Sequence, residues 1–126
     1  MVFDTDVLIF VQRGSVKAAQ WVENAKKRYI STQTYMELLQ GAKDKKQHQV
    51  IQRFLKDYTF TVLPLTQNIG HRASVYVEEY ALSHAMRAGD ALVAATAVEN
   101  HLPLASANEK HFRVIQELDL HIFSLN

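Results

Sequence analysis

The chain has 126 residues, 48% of them hydrophobic and 21% charged, a balance typical of a globular domain and unlike that of a disordered segment. It contains no cysteine, which excludes disulfides, cysteine-ligated zinc and thiol catalysis. With 14 Lys and Arg against 13 Asp and Glu the net charge is +1, which neither requires nor excludes nucleic acid.

Residues 1–4 predict a short buried strand ending at Asp4. The apolar run from Val7 to Val11 reads as a rigid support for Asp4 and Asp6, with no element assigned to it. A helix is predicted over 15–28, capped by Ser15, because Val16, Ala19, Val22 and Ala25 recur at helical spacing. Lys26, Lys27 and Arg28 form a basic cluster, expected at a solvated helix end where the dipole favours cations, and Lys43, Lys45 and Lys46 read the same way. Tyr29 to Ser31 is a strand candidate. A helix from Thr34 to about Ala42 follows, with Gly41 near its end, and a third over 46–57 gathers Val50, Ile51, Phe54 and Leu55 on one face. "FTVLPL" is rich in β-forming residues and stops at Pro64.

A longer amphipathic helix is predicted over 67–86, with Ala73, Tyr76, Val77 and Tyr80 on one side. From Ala91 to Val98 the chain is apolar nearly all round, the pattern of a helix buried on most sides. Pro103–Ser106 and His121–Leu125 complete the strands. Short apolar strands separated by helices indicate an α/β domain with a mainly parallel sheet. No repeat or linker interrupts the chain, so 1–126 is expected to form a single domain. No apolar run reaches the ~18 residues of a membrane span. The apolar start carries two acids and no basic lead, unlike a signal peptide. A cytoplasmic protein without a membrane partner is expected.

Ligands of open parallel sheets bind beyond the carboxyl ends of the strands. Asp4 stands at one such end and Asn108 just past another. Each polar residue also has an ordinary structural reading. Asp4 and Asp6 suit a turn or cap. "TYME" fits a capping box in which Glu37 reaches back to Thr34, three residues before it. Asp90 fits an N-cap, and Asn108 with Glu109 fits a turn. Taken together the acids suggest more. Three carboxylates in one cleft repel strongly unless a cation joins them. Oxygen donors suit Mg²⁺, whereas the absent cysteines and scattered histidines argue against zinc.

The sequence resembles the PIN-domain family, and within it the VapC toxins of bacterial toxin–antitoxin pairs. "FDTDVLI" is similar to the opening strand with the first acid, Asp4. "ISTQTYMELLQG" is similar to the strand and helix that carry the second, Glu37. "RAGDALVAATAVENHLPLAS" resembles the segment of the third acid, Asp90, and "SANEKHF" the loop of the fourth polar position, Asn108, closed by Phe112. The likeness runs from Met1 to about Phe123. It departs at Asn108, where the family often has Asp.

The resemblance implies a three-layer α/β/α fold and a Mg²⁺-dependent (Mn²⁺ possible) endoribonuclease that uses water as nucleophile and leaves a 5′-phosphate. It implies a homodimer, an RNA substrate, and a cognate antitoxin whose tail fills the acidic cleft. Asp4, Glu37 and Asp90 would bind the metal directly or through its waters, and Asn108 would position that shell. Asp6 would orient ligands or waters. Ser106 would bond the phosphate or a metal water, or tie down its loop. Arg87 or Lys110 would contact phosphate. Two other readings remain open from the sequence. "DTDVL" superficially resembles the opening of haloacid-dehalogenase-type phosphatases, although "GDALVA" lacks their second acid. Asn108 could also mark a weakened site in a PIN-fold module that binds or regulates without cleaving.

Overall fold

The computed structural model describes residues 1–125. Five short strands form one sheet in the order β3-β2-β1-β4-β5, and all four pairings are parallel. They are β1 (Val2–Phe3), β2 (Tyr29–Ser31), β3 (Thr61–Leu63), β4 (Leu104–Ser106) and β5 (Leu120–Ile122). The central strands β1 and β4 are buried throughout. Side chains alternate across a strand, so the two residues of β1 face opposite ways. Val2 and Leu104 join a core with Ile69, Ala73, Tyr76 and the buried residues of the helix at 88–99. Phe3 and Ala105 join a second core with Val7, Leu8, Val22 and Leu55. Helices therefore cover both faces, giving three layers, and the sheet is parallel throughout rather than mainly so.

Seven helices fill the outer layers among the described residues: α1 (Thr5–Gln12), α2 (Val16–Asn24), α3 (Thr32–Gln40), α4 (Lys45–Asp57), α5 (Gln67–His84), α6 (Ala88–Glu99) and α7 (Glu109–Phe112). Helices α1 and α7 have no counterpart in the sequence reading, which took the residues of α7 as a loop. Val7 and Leu8 are buried and Ile9, Phe10 and Val11 half-buried, so no polar face betrays the helical period. Helix α6 is apolar all round, with Val93 to Ala97 buried, because it lies between the sheet and α5; its alanines leave room for close approach.

The basic clusters fall differently from expectation. Helix α2 ends at Asn24, so Lys26, Lys27 and Arg28 lie beyond it. The Arg28 guanidinium donates to the carbonyls of Val22, Glu23 and Tyr58, satisfying the open end of α2 from outside. Lys45 and Lys46 open α4 rather than close a helix. Asp44 caps that end, its carboxylate accepting from Gln47 N–H at 2.8 Å, and supplies the negative charge the helix start prefers. Val50, expected on the buried face of α4, is exposed, and Ile51 and Leu55 carry the packing.

In this topology β1 has β2 on one side and β4 on the other. The strand order therefore reverses between β1 and β4, the position where open α/β sheets form a crevice. Asp4 leaves the end of β1, and Ser106 closes β4 beside it.

Candidate active site at the carboxyl edge of the sheet

Asp4 is the N-cap of α1. Its extended backbone ends the strand, and its Oδ1 accepts from Thr5 N–H at 2.8 Å. The cap role is thus Asp4's, and Asp6 stands in the first turn of α1. Asp4 Oδ2 accepts from the Ser106 hydroxyl at 2.8 Å. Asp6 Oδ2 accepts from Ala107 N–H at 3.0 Å and lies 3.5 Å from the same hydroxyl. Asp6 Oδ1 is buried without a hydrogen-bond partner. Ser106 is fully buried, and its oxygen also accepts from Asn108 N–H at 3.0 Å. Its hydroxyl therefore serves Asp4 and the loop.

The electrostatics of this group are unfavourable as it stands. Asp4 is only 8% exposed, and its carboxyl is pushed up from 3.8 to about 7, first by burial and then by the neighbouring charge of Asp6, with Asp90 adding to it. Asp6 is also raised, chiefly by burial, while its bond from Ala107 opposes the shift. Among the described residues no Lys or Arg forms an ion pair with Asp4, Asp6, Glu37 or Asp90. Contrast the amino end of the sheet, where Arg72 bonds Glu99 and lies 3.5 Å from Glu117.

Asp90 is the third residue of α6, not its cap; Arg87 is the N-cap, and its N–H lies 3.4 Å from Asp90 Oδ2. The Arg87 side chain and Lys110 are exposed. Glu37 is likewise not a capping residue. Ser31 caps α3 by accepting from Thr34 N–H at 2.9 Å, and Thr34 donates no cap of its own; it is buried and receives the Thr5 hydroxyl at 3.0 Å, tying α1 to α3. Glu37 sits in mid-helix, where Oε1 accepts from Gln33 Nε2 at 3.1 Å. A Cβ on Gly89 would lie 3.6 Å from that Oε1, so α3 brings Glu37 beside the start of α6. Asn108 caps α7, with Oδ1 3.4 Å from His111 N–H.

These residues share one edge of the sheet, but no three Asp, Glu or His side chains among the described residues stand as a ready-made metal cage. The donors are nevertheless of one hard, oxygen-only kind, and the raised Asp4 and the unpartnered Asp6 Oδ1 leave negative charge uncompensated. Mg²⁺ suits that arrangement, since it keeps several waters and needs only one or two direct carboxylates.

A family model described as the PIN domain matches residues 1–118. The chain belongs to the PIN-domain family. Ribonuclease VapC10 of Mycobacterium tuberculosis is 37% identical over 119 residues, covering 91% of this chain and 87% of that protein. Ribonuclease VapC of Rickettsia bellii is 27% identical over 126 residues, covering 95% and 93%. A chain of a toxin–antitoxin complex from Klebsiella pneumoniae superposes with a TM-score of 0.80 at 29% identity, covering 99% of this chain and 97% of that one. The family assignment overturns the phosphatase reading of "DTDVL".

Two side chains of this PIN domain that touch the acids escaped the sequence reading. Gln33 lies one turn before Glu37, an ordinary i, i+4 pair that composition does not single out. His111 reaches Asp90 Oδ2 with Nδ1 at 3.1 Å across 21 residues of sequence. Its only local signal is its place three residues after the cap Asn108.

Proposed function

We propose that this chain is a VapC-type ribonuclease toxin that hydrolyses RNA phosphodiester bonds with Mg²⁺, Mn²⁺ being a substitute, and that a cognate antitoxin neutralises it. The observation that carries the reading is Asp4: a carboxylate buried beside Asp6 and within the field of Asp90, paired with no basic side chain among the described residues. Likeness to the ribonucleases VapC10 and VapC over nine-tenths of the chain supports the same activity.

Asp4, Glu37 and Asp90 would hold the metal directly or through its waters. When bound, the ion lowers the pKa of a water and offsets charge on the scissile phosphate. The chain's own residues supply position. Ser106 fixes the Asp4 carboxylate, Gln33 fixes Glu37, and the Arg87 N–H approaches Asp90. Asp6 takes the Ala107 N–H and so pins the loop that presents Asn108. Exposed Arg87 or Lys110 would contact substrate phosphates, which suits their exposure and their nearness in sequence to Asp90 and Asn108. Such preorganised groups act on charge as it develops in the transition state.

Residues 1–126 are proposed to work as one PIN domain, paired as a homodimer in the cytoplasm. No helix of the described residues is long and apolar enough to cross a membrane. Exposed Leu65 and Leu82 on the 46–86 stretch are candidates for the dimer face. For the antitoxin, a groove of about 570 Å³ runs between α1, α3 and α4, lined by Ile9, Leu38, Val50 and Ile51 with Arg13 and Glu37 among them. A largely apolar tail would complement it.

The test is induced expression in a bacterial host. Growth arrest by the wild type, absent with Asp4→Ala at equal protein level, is expected; equal arrest by both would refute the reading.

A further inference from the structure

Among the described residues His111 is the one basic side chain in contact with the acids of this site, and nothing in the proposed chemistry uses it. Helix α7 has only four residues, and Phe112, fully buried, anchors it in the core. That anchor holds the neighbouring imidazole in a partly covered position, with its side chain 24% exposed against 23% for Asp90. Nδ1 stands 3.1 Å from Asp90 Oδ2 and 2.9 Å from the Asn108 side-chain amide nitrogen. One ring nitrogen cannot serve both, because the carboxylate needs a hydrogen on Nδ1 and the amide N–H needs a lone pair there. The Asn108 carbonyl is engaged at the start of α7, facing His111 N–H, so its amide nitrogen is the group left beside Nδ1.

We infer that His111 is a positioning residue for the metal site: its Nδ1–H donates to Asp90 Oδ2 and fixes the carboxylate's orientation. The inference rests on the metal reading above. The charged acceptor makes the stronger bond, so it takes the hydrogen. Asp90 then presents its other oxygen to the cleft. The Asn108 amide N–H, displaced from Nδ1, is free to donate into the cleft, and α7 links the third acid to the fourth polar position through one ring. Partners of this kind typically alter metal affinity by 10- to 100-fold when removed.

The experiment measures Mn²⁺ binding to antitoxin-free protein by calorimetry, without RNA, for wild type, His111→Ala, His111→Asn and Asp90→Asn. Asparagine places an N–H near the former Nδ1. A roughly tenfold loss of affinity is expected for His111→Ala, and recovery to within about threefold of wild type for His111→Asn. ¹⁵N spectra of labelled histidine should show Nδ1 protonated in the metal-free protein. Wild-type affinity in His111→Ala, equal loss in both His111 variants, or a bare Nδ1 would overturn the role of His111 while leaving the metal reading intact. A wild type that takes up no Mn²⁺, indistinguishable from Asp90→Asn, would overturn the metal reading and this inference with it.

Discussion

In the metal-free protein Asp4→Asn is expected to stabilise the fold at about pH 8 and to change it little at about pH 4. The Asp4 carboxyl has an ordinary value of 3.8 and is pushed up to about 7 in the fold, by burial before the charge of Asp6. Above pH 7 it is ionised in both states, but only the folded state holds that charge out of water. At about 1.4 kcal/mol per pH unit between the two values, the cost approaches about 4 kcal/mol, an upper figure because the proton belongs to the Asp4–Asp6 pair as a whole. Between the two values the folded state binds more protons than the unfolded one, so wild-type stability falls as pH rises from about 4 to 7. Below 3.8 both states are protonated and the penalty vanishes. Asparagine retains the cap, since its Oδ1 can accept from Thr5 N–H as Asp4 does at 2.8 Å. Its amide can donate to Ser106, whose hydroxyl hydrogen then turns to Asp6 Oδ2, now 3.5 Å away. Urea unfolding in EDTA at several pH values reads the effect directly. The variant's advantage should be largest at high pH, close towards pH 4, and shrink when Mg²⁺ is added, because the ion compensates the wild type. A variant less stable than wild type at pH 8, or a gap independent of pH, would refute the reasoning.

Other substitutions separate stability from activity. Gly89→Ala puts a Cβ 3.2 Å from Gln33 Nε2 and 3.6 Å from Glu37 Oε1. RNA cleavage should fall several-fold as Glu37 loses its support, while urea unfolding shows a gain of about 0.5 kcal/mol from the better helix former. Ser106→Ala removes the donor to Asp4 and the acceptor for Asn108 N–H, and should cost about 2 kcal/mol in the same assay with slower cleavage. Asn108→Asp adds a further carboxylate to the cleft. A lower melting temperature in EDTA and tighter Mg²⁺ binding by calorimetry are expected together.

The sheet and the longer helices were legible because their periods are plain. The buried strand at Val2 and Phe3 and, Val50 apart, the apolar faces of α4 and α5 follow from the sequence pattern. Helix α1 was not, because an apolar segment buried or half-buried on every side leaves no period to read. Caps were misplaced where candidates crowd together: "ISTQT" offers Ser31, Thr32 and Thr34, and the choice falls to Ser31 because it ends β2 in extended backbone. Asp90 looked like a cap because Gly89 precedes it, yet α6 begins at Ala88 with Arg87 extended. The acids announced themselves through charge in apolar surroundings. Their supports, Gln33 and His111, carry no such signal, since His111 meets Asp90 only after α6, β4 and α7 have packed.

The central claim is that these acids make a metal-dependent ribonuclease. Purified protein freed of antitoxin, mixed with structured RNA and Mg²⁺, should cleave it. Cleavage should stop in EDTA, return with added Mg²⁺ or Mn²⁺, and be absent from Asp90→Asn. Cleavage that persists in EDTA, or in Asp90→Asn, would contradict the account.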